Sequence, residues 1–169
     1  MTPRRPRPSA ALAVSLLALG LAVGVARAES EKLAVFDFQF ARGAPTPPTE
    51  EDLARLKRTG DAFRKLLTES GRYTLVPTES VAEDLAGKDL RACGGCAEAA
   101  AKSLGAQAAV IGEVQKVSNL ILNINVYVKP LQDEAPERAY SVDLRGNTDE
   151  SFDRGIRYLV KNQFLERAP

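Results

Sequence analysis

The residues best suited to chemistry are two cysteines separated by two glycines, in the segment Cys93-Gly94-Gly95-Cys96. This spacing allows a disulfide, and export to an oxidising compartment would favour one. Thiol–disulfide oxidoreductases use the same spacing at the start of a helix, where the helix dipole lowers the thiol pKa. Those enzymes place the motif directly after a strand, whereas residues 85–91 are typical of a helix or loop. We expect a structural disulfide, with a redox-active pair as the alternative.

Composition excludes several other kinds of site. The 169 residues include no histidine and only these two cysteines. Nucleophile pairs with histidine, imidazole metal ligands and four-thiolate zinc sites are therefore excluded. No glycine-rich phosphate loop follows a strand, and a net charge of +1 gives no electrostatic reason to expect nucleic acid. We predict a protein without cofactor, metal or nucleic acid, and without enzyme activity unless the cysteines supply it.

Polar and aliphatic residues alternate along a strand predicted in the second half of the chain. The aliphatic residues share one face, and Asn123, Asn125 and Tyr127 share the other. The same alternation places Asp143 and Arg145 on this outer face from the neighbouring strand. Asparagine is disfavoured in strands, and tyrosine and arginine are frequent at binding hot spots. An ordinary solvated face and a recognition surface both explain the pattern, and both remain open.

A second polar stretch, over residues 143–153, is rich in side-chain oxygens. A hard cation such as calcium would suit them, although the spacing fits no EF-hand loop. The same residues suit the start of a helix, with Asn147 or Thr148 as the cap and Asp149 and Glu150 beside the positive end of the dipole. We expect helix capping, with a cation site as the alternative.

Hydrophobic periodicity and turn residues divide the chain into alternating strands and helices. A crossover helix between the first two strands implies a parallel pair, and later hairpins, one of them turning at Ser118-Asn119, add antiparallel strands. The order β-α-β-α-α-β-β-β-α predicts a single α/β domain over 29–169, with one mixed five-stranded sheet and helices packed on it. The predicted strands are 32–38, 72–76, 107–117, 120–129 and 137–145, and the predicted helices are 50–70, 79–85, 96–104 and 148–165.

The first 28 residues have the pattern of an export signal. A basic start with Arg4, Arg5 and Arg7 precedes an apolar run over residues 10–25, and Ala26-Arg27-Ala28 supplies the small residues of a cleavage site. The run is shorter than the roughly 20 residues that cross a bilayer. We therefore predict a cleaved signal peptide, no transmembrane anchor after its removal, and a periplasmic location.

Three segments of the first half resemble a group of envelope proteins. They are Ala34-Val35-Phe36-Asp37-Phe38, Gly71-Arg72-Tyr73-Thr74-Leu75-Val76 and Ala100-Ala101-Lys102-Ser103-Leu104-Gly105-Ala106. Over residues 32–117 this pattern is similar to the TolB amino-terminal domain, the curli-secretion lipoproteins and the outer-membrane lipoprotein activators of peptidoglycan synthases. The resemblance implies an α/β module that acts in envelope assembly through protein contacts. This chain differs in lacking a lipid-attachment cysteine and a second domain.

Two segments of the second half resemble another family. Gln115-Lys116-Val117-Ser118-Asn119-Leu120-Ile121-Leu122-Asn123-Ile124-Asn125 and Leu144-Arg145-Gly146-Asn147-Thr148-Asp149-Glu150-Ser151 are similar to an uncharacterised family of small secreted bacterial proteins. Members are often encoded near periplasmic quinoprotein alcohol dehydrogenases. The resemblance implies an accessory role in such an oxidation system and no activity of its own.

These observations predict a non-enzymatic periplasmic accessory protein that binds a partner protein. The partner would belong to a quinoprotein dehydrogenase system or to an envelope assembly. The alternative is a thiol–disulfide or electron-relay protein that uses Cys93 and Cys96. The residues predicted to contact the partner are Asn123, Asn125, Tyr127, Asp143 and Arg145.

Overall fold

A computed structural model describes residues 30–132 and 135–166 of the chain. The predicted signal peptide lies outside the described residues. The strands are β1 (Glu31–Val35), β2 (Gln39–Phe40), β3 (Tyr73–Leu75), β4 (Ala108–Lys116), β5 (Leu122–Pro130) and β6 (Arg138–Leu144). The helices are α1 (Glu50–Ser70), α2 (Ala82–Leu85), α3 (Cys96–Ser103) and α4 (Asp149–Leu159), with a 3₁₀ turn at Glu79–Val81 and a π turn at Val160–Phe164.

The strands form one mixed sheet in the order β3-β1-β4-β5-β6, and β2 also pairs with β4. β1 is parallel to β3 and to β4, because helical crossovers connect these strands. β4, β5 and β6 pair antiparallel through short connections. The predicted α/β fold with a mixed sheet is confirmed.

The first predicted strand is divided in two, which gives six strands rather than five. β1 ends at Val35, and the chain pairs with β4 again only at Gln39 and Phe40. Between these strands, the Phe38 ring occupies the space above Gly112 of β4, where a Cβ atom would lie 2.1 Å from Phe38 Cδ1. Phe38 thereby joins the core from an interrupted strand, a long-range contact that strand periodicity does not predict.

Helices cover the two faces of the sheet unequally. α1 and α4 pack on one face across strands β1, β4, β5 and β6, around a core that includes Leu33, Phe63, Val110, Ile124, Val126, Phe152, Ile156 and Phe164. α3 and the segment before it pack on the other face around a smaller core of Ala34, Phe36, Leu90, Ala97, Ala101, Ala109 and Ile111. This smaller core uses β1 and β4, so α3 leaves the same side of β5 and β6 largely uncovered.

Helix boundaries follow the capping residues in the sequence. Thr49 and Asp52 form a capping box at the start of α1, since each side chain accepts a hydrogen bond from the other residue's backbone N–H. Gly71 ends α1 with φ of 65°, a left-handed conformation that glycine adopts without strain. Both boundaries confirm the prediction for this helix.

The connection between β4 and β5 differs from the predicted two-residue turn, which is wrong. β5 begins at Leu122, and the intervening loop 117–121 is held by the Ser118 hydroxyl, which accepts the backbone N–H groups of Leu120 and Ile121. Leu120 is 75% exposed and does not continue the buried face of β5. A local side-chain hydrogen bond therefore replaces the tight turn.

The final helix also ends differently from the prediction. Thr148 caps α4, because its hydroxyl accepts the backbone N–H of Ser151 at 3.2 Å, but the α-helix stops at Leu159 and continues as the π turn. This wider turn carries the buried Phe164 into contact with Phe63, Tyr73 and Tyr140. None of the helices in the described ranges is long and apolar enough to cross a membrane.

Candidate functional site

The polar residues predicted on β5 lie on the sheet face opposite α1 and α4. Register places Asn123 between Gln115 of β4 and Asp143 of β6. It places Asn125 between Glu113 of β4 and Ser141 of β6. Side chains on one face of paired strands lie side by side. The polar sheet face consists of Glu113, Gln115, Asn123, Asn125, Tyr127, Ser141 and Asp143.

Hydrogen bonds between β5 and β6 order one end of the polar sheet face. Asn123 Nδ2 donates to Asp143 Oδ1 at 2.7 Å, and the Ser141 hydroxyl lies 3.1 Å from Asn123 Oδ1. Ser141 and Asp143 are exposed, while Asn123 and Asn125 are half-buried. The side chains are thus partly pre-ordered and still accessible to a partner.

A loop arginine covers the other end of this face. The Arg91 guanidinium lies 3.5 Å from the centroid of the Tyr127 ring and pairs with Glu137 at 2.7 Å. Arg91 is not predictable from the sequence, because the loop before Cys93 carries no pattern that relates it to β5. Burial, followed by the charge of Glu113, raises the pKa of the Tyr127 hydroxyl. A tyrosine hydroxyl is protonated at neutral pH in any case, and this shift further favours the form that donates a hydrogen bond.

Glu113 is the half-buried carboxyl group of the polar sheet face. Burial and the nearby Asp89 raise its pKa, although Arg91 and a hydrogen bond with Gln39 act in the opposite direction. The negative charge of this carboxylate is therefore only partly stabilised by Arg91 and Gln39. Glu113 is the group on this face whose charge a cationic or hydrogen-bond-donating partner would stabilise.

Arg145 lies one residue beyond the last residue of β6, Leu144. It follows the end of β6 and lines a groove between β6 and α4, together with Arg154 and Tyr158. The alternation that placed it on the outer face applies only while the strand continues, and β6 ends at Leu144. Strand register therefore brings Asn123, Asn125, Tyr127 and Asp143 onto one face. Arg145, one residue past the strand, lines the groove together with Asp143.

The two cysteines form a disulfide in the loop before α3. Both are half-buried, and Cys93 Sγ accepts the backbone N–H of Cys96 at 3.2 Å. The motif follows a series of turns and not a strand. Because Cys96 is the first residue of α3, the helix dipole favours negative charge at this position.

The oxygen-rich stretch 143–153 is used for capping and ion pairs. Thr148 caps α4, and the Asp149 carboxylate accepts from Arg58 at 2.6 Å and from Arg55 at 2.9 Å. The hydrogen bonds from these two arginines lower the pKa of Asp149. Within residues 30–132 and 135–166, no group of three or more acidic or cysteine side chains is arranged to hold a metal ion.

A second polar cluster lies buried where α1, β4 and the start of α4 meet. We call it the buried charge network. Lys116 Nζ donates to Asp52 Oδ2 at 2.8 Å, and Asn147 Nδ2 donates to Asp52 Oδ1 at 2.7 Å. Arg55 contacts both Asp52 and Asn147, at 3.4 and 3.0 Å. Asp52, Arg55 and Lys116 are 1%, 3% and 8% exposed, so the network is closed to ligands.

Electrostatics in the buried charge network favour the charged form of Asp52. Burial alone would raise its pKa, but the hydrogen bonds from Asn147, Lys116 and the Thr49 backbone outweigh burial and hold the pKa well below its usual range. The network connects residues 64 positions apart. The sequence gives no sign of it beyond Asp52 and Arg55 on one side of α1, so only the tertiary contacts identify it.

Comparisons with known proteins give a family and a fold. A comparison with curated protein sequences gives no match. Lipoprotein GNA1162 from Neisseria meningitidis is similar in structure with a TM-score of 0.51 and 11% identity, covering 80% of this chain and 99% of that one. The LpoB C-terminal domain from Salmonella enterica has a TM-score of 0.44 and 15% identity, with 69% and 83% covered. A PelC dodecamer from Paraburkholderia phytofirmans has a TM-score of 0.43 and 10% identity, with 78% and 86% covered.

The family model extends over nearly all of the described chain. It matches residues 31–164 and so includes both segments that resemble an uncharacterised family of secreted proteins. The match does not bear on the association with quinoprotein dehydrogenases. With this share of its 169 residues matched, the chain belongs to the DUF3280 family, described as "Protein of unknown function (DUF2380)".

Proposed function

We propose that the protein is a non-enzymatic binding protein of the bacterial cell envelope that docks a partner protein on the polar sheet face. The partner we propose belongs to a quinoprotein dehydrogenase system or to an envelope assembly, as the resemblances in the sequence imply. The proposal rests on one observation above all. Ordered polar side chains extend across β4, β5 and β6 on a face that α3 does not cover.

The chemistry of this face suits a protein partner. Asn123, Asn125 and Ser141 offer amide and hydroxyl groups that donate and accept hydrogen bonds. Tyr127 and Arg91 add the two side-chain types that dominate binding energy at protein interfaces. The side chains are spread over three strands, which suits a broad protein surface better than the concave pockets that small ligands occupy.

The proposed location is supported by two independent observations. Residues 1–28 have the basic, apolar and small-residue regions of an export signal. The fold is shared with lipoprotein GNA1162 from Neisseria meningitidis. We therefore place the mature domain outside the cytoplasm.

Site-specific photo-cross-linking in the native bacterium tests this function. A photoreactive residue at Gln115, exposed on the polar sheet face, is compared with one at Lys65, exposed on α1. We expect one dominant protein adduct from position 115 and none from position 65. The adduct should be lost in an Asn123/Asn125/Tyr127→Ala variant that keeps its circular dichroism spectrum.

Two results would contradict the proposal. The first is an equal pattern of adducts from both positions, which would mean that contacts are non-specific. The second is an adduct from position 115 that survives the triple substitution, which would mean that these side chains do not contribute to docking.

A thiol–disulfide function is the second candidate, supported by the hydrogen bond from the Cys96 backbone to Cys93 Sγ at the start of α3. This arrangement would stabilise a Cys93 thiolate after reduction. Equilibration with glutathione measures the reduction potential of the pair. A potential below about −300 mV marks a structural disulfide, whereas a value near those of known oxidoreductases, about −270 to −120 mV, would favour redox activity.

A further inference from the structure

The outer edge of the sheet is formed by β6, whose backbone is paired on one side only. At the centre of this edge, Gln163 Nε2 donates to the Ser141 carbonyl at 2.9 Å, and the Ser141 N–H donates to Gln163 Oε1 at 3.4 Å. One side-chain amide thus makes the pair of hydrogen bonds that a neighbouring strand would make. The π turn after α4 places Gln163 at this edge.

The position of Gln163 shows which backbone groups of β6 face outward. In an antiparallel strand, the N–H and C=O of a given residue point to the same side, and this side alternates from residue to residue. Since both groups of Ser141 point away from β5, those of Ala139 and Asp143 do so too. Unpaired edge groups of this kind are a template for an added strand.

A groove runs along this edge between β6 and α4. It has a volume of about 420 Å³ and is lined by side chains from both elements, including Val142, Ser151, Gly155 and Tyr158. Gly155 allows α4 to approach β6 closely, because a Cβ atom there would lie 2.3 Å from Leu144 Cδ2. Tyr158 is 51% exposed. The groove can therefore receive the side chains on one face of an added strand.

Three charged residues line the groove, the two arginines Arg145 and Arg154 and the acidic Asp143. Among the ion pairs of the described residues, none involves Arg145, and Arg154, 71% exposed, pairs with its helix neighbour Glu150 at 3.6 Å. The Asp143 carboxylate is directed to the polar sheet face, where it accepts from Asn123. An occupant with acidic side chains would pair with both arginines, whereas a second copy of this chain would bring the same two arginines to its own groove.

We propose that β6 binds an extended acidic segment of a partner protein as an additional strand, with its apolar side chains in the groove beside α4 and its carboxylates on Arg145 and Arg154. Backbone hydrogen bonds supply affinity in this mode, and the groove and the arginines supply specificity. Gln163 occupies the central backbone position in the free protein and is displaced on binding. This site uses the backbone edge of Ser141 and Asp143, whereas the polar sheet face uses their side chains, and the proposal does not depend on the function proposed for that face.

A designed peptide tests this proposal. The probe is a fluorescein-labelled Asp-Val-Thr-Val-Glu-Val-Thr-Asp, with two controls of the same length, one with lysine in place of the acidic residues and one with alternate backbone amides methylated. We expect the acidic probe to bind the mature domain and both controls to bind at least about tenfold more weakly. Hydrogen exchange should show new protection at the Ala139 and Asp143 amides.

Three variants separate the proposed roles. Arg145→Glu/Arg154→Glu should weaken binding of the acidic probe by about tenfold or more, whereas the matched charge reversal Arg157→Glu/Lys161→Glu, away from the groove on the same side of the molecule, should not. Gln163→Ala should tighten binding by about threefold to tenfold, because two competing hydrogen bonds are removed. A structural role of Gln163 alone would not produce this gain.

Several outcomes would overturn the proposal. They are no binding of the acidic probe at about 1 mM, equal binding of the methylated control, equal losses from the two charge reversals, or protection of the β6 amides by dimerisation without peptide. The Asn123/Asn125/Tyr127→Ala variant should bind the probe normally. Its behaviour distinguishes failure at this edge from failure of the polar sheet face.

Discussion

The buried charge network and the polar sheet face use nearly the same side chains in opposite surroundings. Asp52, Lys116 and Asn147 are enclosed and satisfy one another, whereas Asn123 and Asp143 form one mutual bond on an accessible surface. In the enclosed cluster every strong charge has a partner within the fold, so the cluster fixes α1, β4 and α4 relative to one another. The open cluster keeps hydrogen-bonding capacity for another molecule. Residue type alone does not distinguish a cluster that stabilises the fold from one that can bind a partner, whereas burial does.

The largest effect should follow from neutralising Asp52. Asp52→Asn leaves Lys116 buried without its counter-charge, and we expect the free energy of unfolding to fall by about 3–5 kcal/mol in urea denaturation. Asp143→Asn, the same change on the polar sheet face, should cost less than about 1 kcal/mol because solvent screens that carboxylate. Equal losses from the two substitutions would remove the distinction between the regions.

Lowering the pH should change the free energy of unfolding in opposite directions through the two regions. The folded-state pKa of Asp52 is lowered, so its contribution is complete above its unfolded pKa and is lost as pH falls from about 5 towards 2. The pKa of Glu113 is raised, so its protonation favours the fold and its ionisation at neutral pH opposes it. Urea denaturation across this pH range should give a shallower acid loss for Asp52→Asn and a steeper one for Glu113→Gln. Parallel profiles for both variants and the native protein would contradict this assignment.

Removal of the disulfide should have an intermediate effect. It closes a loop of only four residues, between Cys93 and Cys96, so Cys93→Ser/Cys96→Ser should lower the free energy of unfolding by about 2 kcal/mol. Thermal denaturation with and without reductant measures this loss. The photo-cross-linked adduct from position 115 should persist in this variant. Its disappearance, with folding retained, would favour the redox alternative over docking on the sheet face.

The smallest effect on stability should come from Arg91 on the polar sheet face. Arg91→Ala removes the contact with Tyr127 and the ion pair with Glu137, and we expect a loss of about 0.5–1 kcal/mol. The adduct from position 115 should nevertheless weaken strongly, since the half-buried Arg91 holds Tyr127 at one end of the polar sheet face. Lys57→Ala is the control, because it also breaks an exposed ion pair, with Asp61 on α1. A larger effect on unfolding than on docking would assign Arg91 to the fold.

Local patterns in the sequence predicted much of the fold. Helix ends are defined by hydrogen bonds and backbone conformation at Thr49, Gly71 and Thr148. These interactions involve residues only a few positions away, so the helix ends can be predicted without the tertiary structure. The alternation along β5 likewise predicted the buried side chains from Leu122 to Val128, but not the exposure of Leu120. The failures occurred where a distant or competing contact decided the outcome. The first strand is interrupted where the Phe38 ring packs on Gly112. The predicted two-residue turn between β4 and β5 is replaced by a longer loop, because the Ser118 hydroxyl accepts a hydrogen bond from the Ile121 backbone N–H.

The candidate site shows the same division. Asn123, Asn125, Tyr127 and Asp143 were predicted to share a face, and they do, because strand alternation is a local property. Their role in binding stays a prediction. Arg91 and Gln163 reach the sheet from a loop and a π turn, so no spacing in the sequence connects them to Tyr127 or Ser141.

The sequence by itself determined the α/β class, the helix caps, the alternating faces of β5 and the pairing potential of two cysteines, all of which depend on residues close together in the chain. Only the tertiary structure decided which polar groups became buried and which stayed open. That decision depends on contacts between residues such as Asp52 and Lys116, far apart in sequence and 2.8 Å apart in space. A charge in water and the same charge in the core differ in free energy by several kcal/mol. Local sequence patterns do not show whether a given charged side chain will be buried or exposed.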